Sequence, residues 1–266
     1  MKLDDTALAD VIETSLVRLP TLPGQLDYIQ APGVEGMISD TSSGLINMVG
    51  AARLTTGNAN TVISTVKELY RSRRQSFDWW VGPNSTPRDI GGRLIDAGFR
   101  LTEPASAGLA ITDLSVPINV NPAVLVRRAT VDDSADVNSV LAQGFGTSPH
   151  VWAVATAATL RAPGEFKSAV YVAYIDGIDI AVGAAHLVHV PGRPIALLAA
   201  AATLPAHRGK GVYTAMVARR LADARANGAD AAVIQADPNT SAPVCLKLGF
   251  RHLCTQQIYE WTPEGS

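Results

Sequence analysis

A chain of 266 residues, 47% apolar and 17% charged, carries enough hydrophobic material for packed cores and is long enough for two domains, which excludes a disordered protein. Its formal net charge of −2 supplies no concentrated basic field, so neither nucleic acid nor an anionic membrane surface is an expected partner. In chain order, the spacing of Leu8, Val11, Ile12 and Leu16 predicts a helix over Thr6 to Leu19, ended by Pro20 and Pro23. Gly44 to Leu54 reads as a strand, Asn60 to Gln75 as an amphipathic helix and Phe77 to Val81 as an aromatic-rich strand. A turn at Gly82-Pro83-Asn84 leads to a helix over Pro87 to Ala97 that Gly98 closes, and Leu109 to Leu114 reads as a strand. Pro117, Asn121 and Pro122 mark the linker.

Beyond it come a strand at Val124 to Arg128, a helix entered at Thr130 with Asp132 and Asp133 in its first turn, and a helix over Val151 to Leu160. Three strands follow, Ala169 to Ile175, Ile180 to Val190 and Ile195 to Thr203. The chain then runs through Pro205 into a helix over Val212 to Asn227, a strand at Ala231 to Ala236, a helix over Ser241 to Leu248 and a strand at Leu253 to Trp261. This order predicts an α/β fold of the α+β kind, with mixed, largely antiparallel sheets flanked by helices. The stretch Val81-Gly-Pro-Asn-Ser-Thr-Pro, running on to Ala97-Gly-Phe-Arg100, echoes Ala236-Asp-Pro-Asn-Thr-Ser-Ala-Pro, running on to Leu248-Gly-Phe-Arg251. The repeat predicts two related domains, 1–120 and 121–266.

The strongest chemical signal is the loop Ala206-His207-Arg208-Gly209-Lys210-Gly211-Val212-Tyr213, between the apolar strand and the helix whose inner face carries Val212, Met216, Val217 and Leu221. Two glycines at a helix start permit a tight turn and leave the first amides free to meet an anion, and Arg208 and Lys210 add the charge a pyrophosphate needs. A nucleotide-hydrolysing P-loop requires Ser or Thr after Gly-Lys, where Gly211 stands. A dinucleotide fingerprint requires Gly or Ala at Thr214 and a place in the first βαβ unit.

With those residues in view, the stretch Leu204 to Met216 resembles the acyl-CoA signature of the GNAT superfamily, Arg/Gln-x-x-Gly-x-Gly/Ala. Arg208 and Gly211 match, and Tyr213 stands where the family usually has Gly or Ala. A second family landmark, Asn followed by a helix and Lys-Leu-Gly-Phe, spans Asn239 to Phe250. The resemblance covers about Val124 to Trp261. It implies acetyl-CoA as acyl donor, bound by Arg208, Gly209, Lys210, Gly211, Val212, Tyr213, Thr214 and Asn239, with a bulky ring near the pyrophosphate. It also implies that the strand backbone at Ala201, Ala202 and Thr203 pairs with pantetheine as an added strand would. The N-terminal half has no equivalent glycine loop, since Arg53-Leu-Thr-Thr-Gly-Asn-Ala-Asn60 carries one glycine and no basic anchor after it; it reads as a degenerate GNAT-like domain.

The family transfers the acetyl group directly to an amine in a ternary complex, often with a Tyr four residues before Gly-Phe as the proton donor. Here that position is Cys245, which the catalytic reading takes as a thiol donor and the plain reading as a buried helix residue. The cofactor strand carries no Glu, and His150, Glu165, His186 and His189 are the candidate bases. The expected partner is an amine acceptor, on a small molecule or a polypeptide. The alternative is a non-catalytic acyl-CoA binder or regulator. Two cysteines, Cys245 and Cys254, suit neither a disulfide scaffold nor a structural zinc site, so no metal is expected. The acidic N-terminus and the short apolar run Ile195 to Leu204 predict no signal peptide and no membrane span, hence a cytoplasmic protein, as monomer or homodimer.

Overall fold

In the computed structural model, residues 3–162, 167–190 and 193–264 are described. The elements, in chain order, are α1 (Asp5–Ser15), β1 (Leu26–Tyr28), β2 (Glu35–Ser39), β3 (Met48–Gly50), α2 (Ala59–Ser72), β4 (Phe77–Val81), α3 (Ile90–Asp96), β5 (Arg100–Ile111), β6 (Leu125–Arg128), α4 (Ser134–Phe145), α5 (Pro149–Leu160), β7 (Ala169–Ile175), β8 (Ile178–Val190), β9 (Arg193–Thr203), α6 (Val212–Ala226), β10 (Ala231–Ala236), α7 (Ser241–Lys247) and β11 (Arg251–Trp261). Short 3-10 turns at Leu16–Arg18, Val131–Asp133 and Pro205–His207 join them.

The helices begin and end where their side chains allow. Asp4 caps α1 by accepting the Ala7 amide at 2.8 Å, and at Thr130 a capping box with Asp133 opens the turn into α4. Gly98 and Gly249, at φ +85° and +95°, stop α3 and α7 in the left-handed conformation that glycine tolerates. After each, the Phe amide reaches back to a helical carbonyl, Phe99 to Leu94 at 3.0 Å and Phe250 to Cys245 at 3.1 Å, and both rings are buried. The repeat read in the sequence is therefore a repeat of local structure.

All strands lie in one mixed sheet of order β1-β2-β3-β4-β11-β5-β10-β9-β8-β7-β6. The two halves exchange strands: β11, from the end of the chain, sits between β4 and β5, and β5 sits between β11 and β10. β5 and β11 follow the two Gly-Phe stops and pair antiparallel, Arg100 opposite Glu260 and Arg251 opposite Ala110, so a pseudo-twofold axis runs between them. Helices α6 and α7 pack on one face over Leu198, Ala232 and Ile234. On the other face α1 covers Ile195, Leu197 and Val233, and α4 and α5 cover Val170, Val172 and Ala202.

The limits of two expected strands are corrected. The strand expected at 44–54 is confined to Met48–Gly50, and two short strands before it, β1 and β2, carry no clear alternation. The strand expected at 109–114 begins at Arg100, because Pro104 lies in the register shift between Thr102 and Ser106, where no ladder hydrogen bond is required of it.

Candidate functional site

The site is a fork in the sheet. β9 and β10 run parallel and pair at Ile195↔Ala231, Ala196↔Ala232 and Leu197↔Val233, after which β10 continues beside β5 and β9 beside β8. Among the described residues, 198–203 of β9 thus present one backbone edge without a neighbouring strand. Along this edge the ladder with β8 passes from Ala184↔Ala199 to Val182↔Ala202, so Ala200 and Ala201 together face Gly183 in a β-bulge. Ala200 adopts φ +45°, a conformation that an L side chain rarely takes and that rigid surroundings must impose.

At the mouth of the fork the chain turns through Pro205–His207 into residues 208–211, all exposed. Gly209 and Gly211 take φ +74° and +76°, and Gly211 is the residue that enters α6. Among the described residues the amides of 209–214 find no acceptor within the chain. They form a cluster of free donors at the positive end of a helix, beside two basic side chains. Arg208 donates Nε to the Thr203 carbonyl at 3.2 Å, tying the loop to the end of β9. Asn121 donates Nδ2 to the Lys210 carbonyl at 3.0 Å and accepts the Ala123 amide at 3.0 Å. Asn121 had read as linker only; its place in a Pro-Asn stretch gave no sign that it holds the loop.

The structure brings Arg208, Gly209, Lys210, Gly211, Val212, Tyr213 and Thr214 together with the β9 edge at Ala201, Ala202 and Thr203. The Ala202 side chain turns away, toward Gly144 of α4, leaving its backbone as the part that faces the fork. Asn239 is exposed in a turn organised by Asp237, whose Oδ1 accepts the amides of Asn239 and Thr240, each at 2.8 Å. Tyr213 does not lean over the loop as its position suggested. Its ring turns inward, and its hydroxyl lies 3.5 Å from the Cys245 thiol on α7. Cys245 is fully buried, and burial pushes its pKa up, against smaller opposing effects of Tyr213 and Arg220.

Arg220 is fully buried on the inner face of α6, four residues after Met216 on the stripe that the apolar residues mark. That spacing was the signal available in the sequence. Its Nε donates to the Met216 carbonyl at 3.2 Å and its Nη1 to the Ala184 carbonyl at 3.1 Å, while Nη2 has no acceptor.

The candidate bases lie elsewhere. His150 is exposed at the start of α5. His186 is buried with Nδ1 2.9 Å from Ser168 Oγ, and burial pushes its pKa down to about 4, leaving it neutral near pH 7. It lines a cavity of about 200 Å³ with Arg128, Tyr171 and Asn227, at the end of α6 away from the loop. Glu165 lies outside the described residues, as does the side chain of His189. Among the described residues no cluster of His, Cys, Asp and Glu suits a metal ion, and no helix is long and apolar enough to cross a membrane.

The corresponding fork in the first half is closed by the chain itself. β3 and β4 pair in parallel at Met48↔Asp78 and Val49↔Trp79; beyond them the Thr86 amide donates to Ala52 at 3.0 Å and the Leu54 amide donates to Thr86 at 3.3 Å. Glu13, 2% exposed, locks this segment by accepting from the Asn84 amide at 2.9 Å, from Ser85 Oγ at 2.6 Å and from Arg53 at 3.1 Å.

Residues 125–253 match the family model described as an acetyltransferase (GNAT) domain. That segment is thus matched to a GNAT acetyltransferase domain, and over the whole chain the fold is the one seen in solved N-acetyltransferases. A GCN5-related N-acetyltransferase from Kribbella flavida is similar over 100% of this chain and 97% of its own, at 16% identity and a TM-score of 0.70. A tandem GNAT protein from the clavulanic acid biosynthesis pathway is similar over 99% of this chain and 97% of its own, at 12% identity and a TM-score of 0.61. A conserved protein of unknown function from Staphylococcus epidermidis covers 90% of this chain and 94% of its own, at 11% identity and a TM-score of 0.62. At these identities the likeness is one of fold. No match is found among the curated proteins.

Proposed function

We propose that the second half, 121–266, transfers an acetyl group from acetyl-CoA to a primary amine of a small molecule or polypeptide, directly and without an acyl-enzyme. The first half, 1–120, is a degenerate GNAT-like scaffold. The carrying observation is the cluster of free amides at 209–214, with Arg208 and Lys210, at the mouth of a fork whose β9 edge is unpaired. Pyrophosphate neutralises the loop, and pantetheine runs along the backbone of Ala201, Ala202 and Thr203, supplying the ladder that β10 does not. In the first half, Thr86 already takes those ladder positions, so one donor binds per chain.

The test is calorimetry with acetyl-CoA on Gly211→Asp, which places a carboxylate and a side chain at φ +76° against the pyrophosphate. Binding is expected to be lost with the circular dichroism of the native protein retained; unchanged affinity sinks the assignment. A second reading, a non-catalytic acyl-CoA binder, draws support from a β9 without any acid and from the buried, desolvated thiol at 245. Release of free thiol from acetyl-CoA across an amine panel separates the two.

A further inference from the structure

A polar line crosses the fork between the two helices that flank it. On one side the Arg220 guanidinium donates to the Ala184 carbonyl on β8, on the other the Tyr213 hydroxyl lies 3.5 Å from the Cys245 thiol on α7, and the guanidinium and hydroxyl face each other between them. Gly183 makes room for it: a Cβ there would stand 3.2 Å from Nη1 and 3.3 Å from Cζ of Arg220. Since Gly183 is the residue facing the bulge of Ala200 and Ala201, the guanidinium sits level with the distorted part of β9.

Among the described residues no acid pairs with the charge of Arg220. Tyr213 from its own helix, Cys245 from α7 and Tyr171 from β7 are the titratable groups that face it. Asp223, the acid of the same helix, is taken by Arg128 at 2.9 Å and Arg219 at 3.1 Å. An arginine cannot shed its proton to escape burial, and a fully buried guanidinium with one nitrogen lacking an acceptor is costly unless an anion comes to meet it.

We propose that Arg220 and Tyr213 form a thiolate hole: the sulfur of the acyl donor seats against the Tyr213 hydroxyl, and the buried charge of Arg220 stabilises the anion that forms there. The inference rests on the acetyl-CoA reading above. In the step it serves, the amine nitrogen bonds to the carbonyl carbon, the carbon–sulfur bond breaks, and its electron pair stays on sulfur as CoA thiolate. The amine releases its proton to water. Tyr213 donates a hydrogen bond to the thiolate and keeps its proton, in keeping with a pKa that burial drives upward. Arg220 acts through Tyr213 and is a positioning residue.

The test titrates the thiol of bound CoA by its ultraviolet thiolate absorbance, with binding followed separately by calorimetry. In the wild-type protein the bound thiol is expected to ionise about one to three pH units below free CoA, the range an opposite charge at close approach produces. Arg220→Met is expected to abolish that shift and to lower kcat about 100-fold with little change in KM. Tyr213→Phe, which keeps the ring and removes the donor, is expected to halve the shift or more and keeps the proposal testable should Arg220→Met misfold. If CoA binds and its thiol ionises as in solution, the thiolate hole is wrong while the acetyl-CoA reading stands. If CoA does not bind, that reading fails first. If Tyr213→Phe binds CoA more tightly and turns over faster, the Tyr213–Cys245 bridge obstructs the fork, and the proposal is overturned.

Discussion

Cys245 occupies the position where the family often places its proton donor, but its surroundings argue against that work. Burial raises the thiol pKa, and a CoA thiolate is already a good leaving group, so Cys245→Ala is expected to lower kcat only a few-fold. The 100-fold or greater loss typical of a missing general acid, at unchanged acetyl-CoA affinity, would reverse that assignment. The reciprocal exchange is less benign than the sequence suggests. The Tyr213 hydroxyl already lies 3.5 Å from the thiol, so Cys245→Tyr alone is expected to lose activity, and Tyr213→Ala/Cys245→Tyr to regain it; steady-state kinetics on both variants decide this. Asp78 gives a pH prediction. Burial first, then the charge of Glu260, push its pKa up to about 7 from an ordinary carboxylate value of 3.8. A carboxyl whose folded pKa is raised favours folding in its protonated form, so its contribution is intact below about pH 4 and lost as pH rises through 7. Asp78→Asn is therefore expected to raise Tm at pH 8, by up to about 4 kcal/mol of stability at 1.36 kcal/mol per unit, and to change little at pH 4. Equal effects at both pH values would mean that Asp78 is ionised without penalty. At this scale the turn at 208–211 was legible as the entry to a helix, because two closely spaced glycines after a proline mark a tight turn. Asn121, Arg220 and Asp78 were not, because their roles depend on contacts across 89, 36 and 34 residues of chain with Lys210, Ala184 and Gly44.

Among elements, the fork is the decisive one, and its two versions differ by what fills them. In the second half the edge of β9 is left free and the loop is tied down by Asn121; in the first half Thr86 and Glu13 complete the ladder internally. Asn121→Ala removes one hydrogen bond to the Lys210 carbonyl, worth about 1 kcal/mol, and so is expected to raise the KM for acetyl-CoA about fivefold at unchanged kcat. An unchanged KM would show that the loop holds its shape without the linker. Helices and long strands were readable because apolar periodicity persists through them: β4, β7 and β10 fall at the expected limits. The three-residue strands β1 and β3 are too short to display a period, and Pro104 concealed the first part of β5 until its partner β11 showed where the ladder is interrupted.

For the whole molecule, the Gly-Phe stop recurs as a local structure in both halves, but nothing local says which half each final strand joins. Strand exchange is a matter of pairing between residues far apart in the chain, 160 positions in the case of Arg100 and Glu260, and the hydrophobic pattern of β5 or β11 suits either half of the sheet. The consequence is that the 120/121 division, natural in the sequence, parts strands that lie side by side in one continuous sheet. A fragment 1–120 lacks β11 between β4 and β5, and a fragment 121–266 lacks β5 between β10 and β11. The second fragment also loses Leu109 and Ile111, at 0% and 4% exposure, from the core under α6 and α7. Burying two such side chains contributes about 3–6 kcal/mol, comparable to the roughly 5–15 kcal/mol that holds a typical domain together. Each fragment would in addition expose unpaired ladder edges that favour aggregation. The intact chain is therefore expected to unfold in a single calorimetric transition, each fragment alone to be aggregated or poorly folded, and the two coexpressed to associate and recover acetyl-CoA binding. If 121–266 alone is monomeric and binds acetyl-CoA with the affinity of the intact chain, then β10 and β11 can close on each other directly, and β5 is a covering strand that the second half can do without.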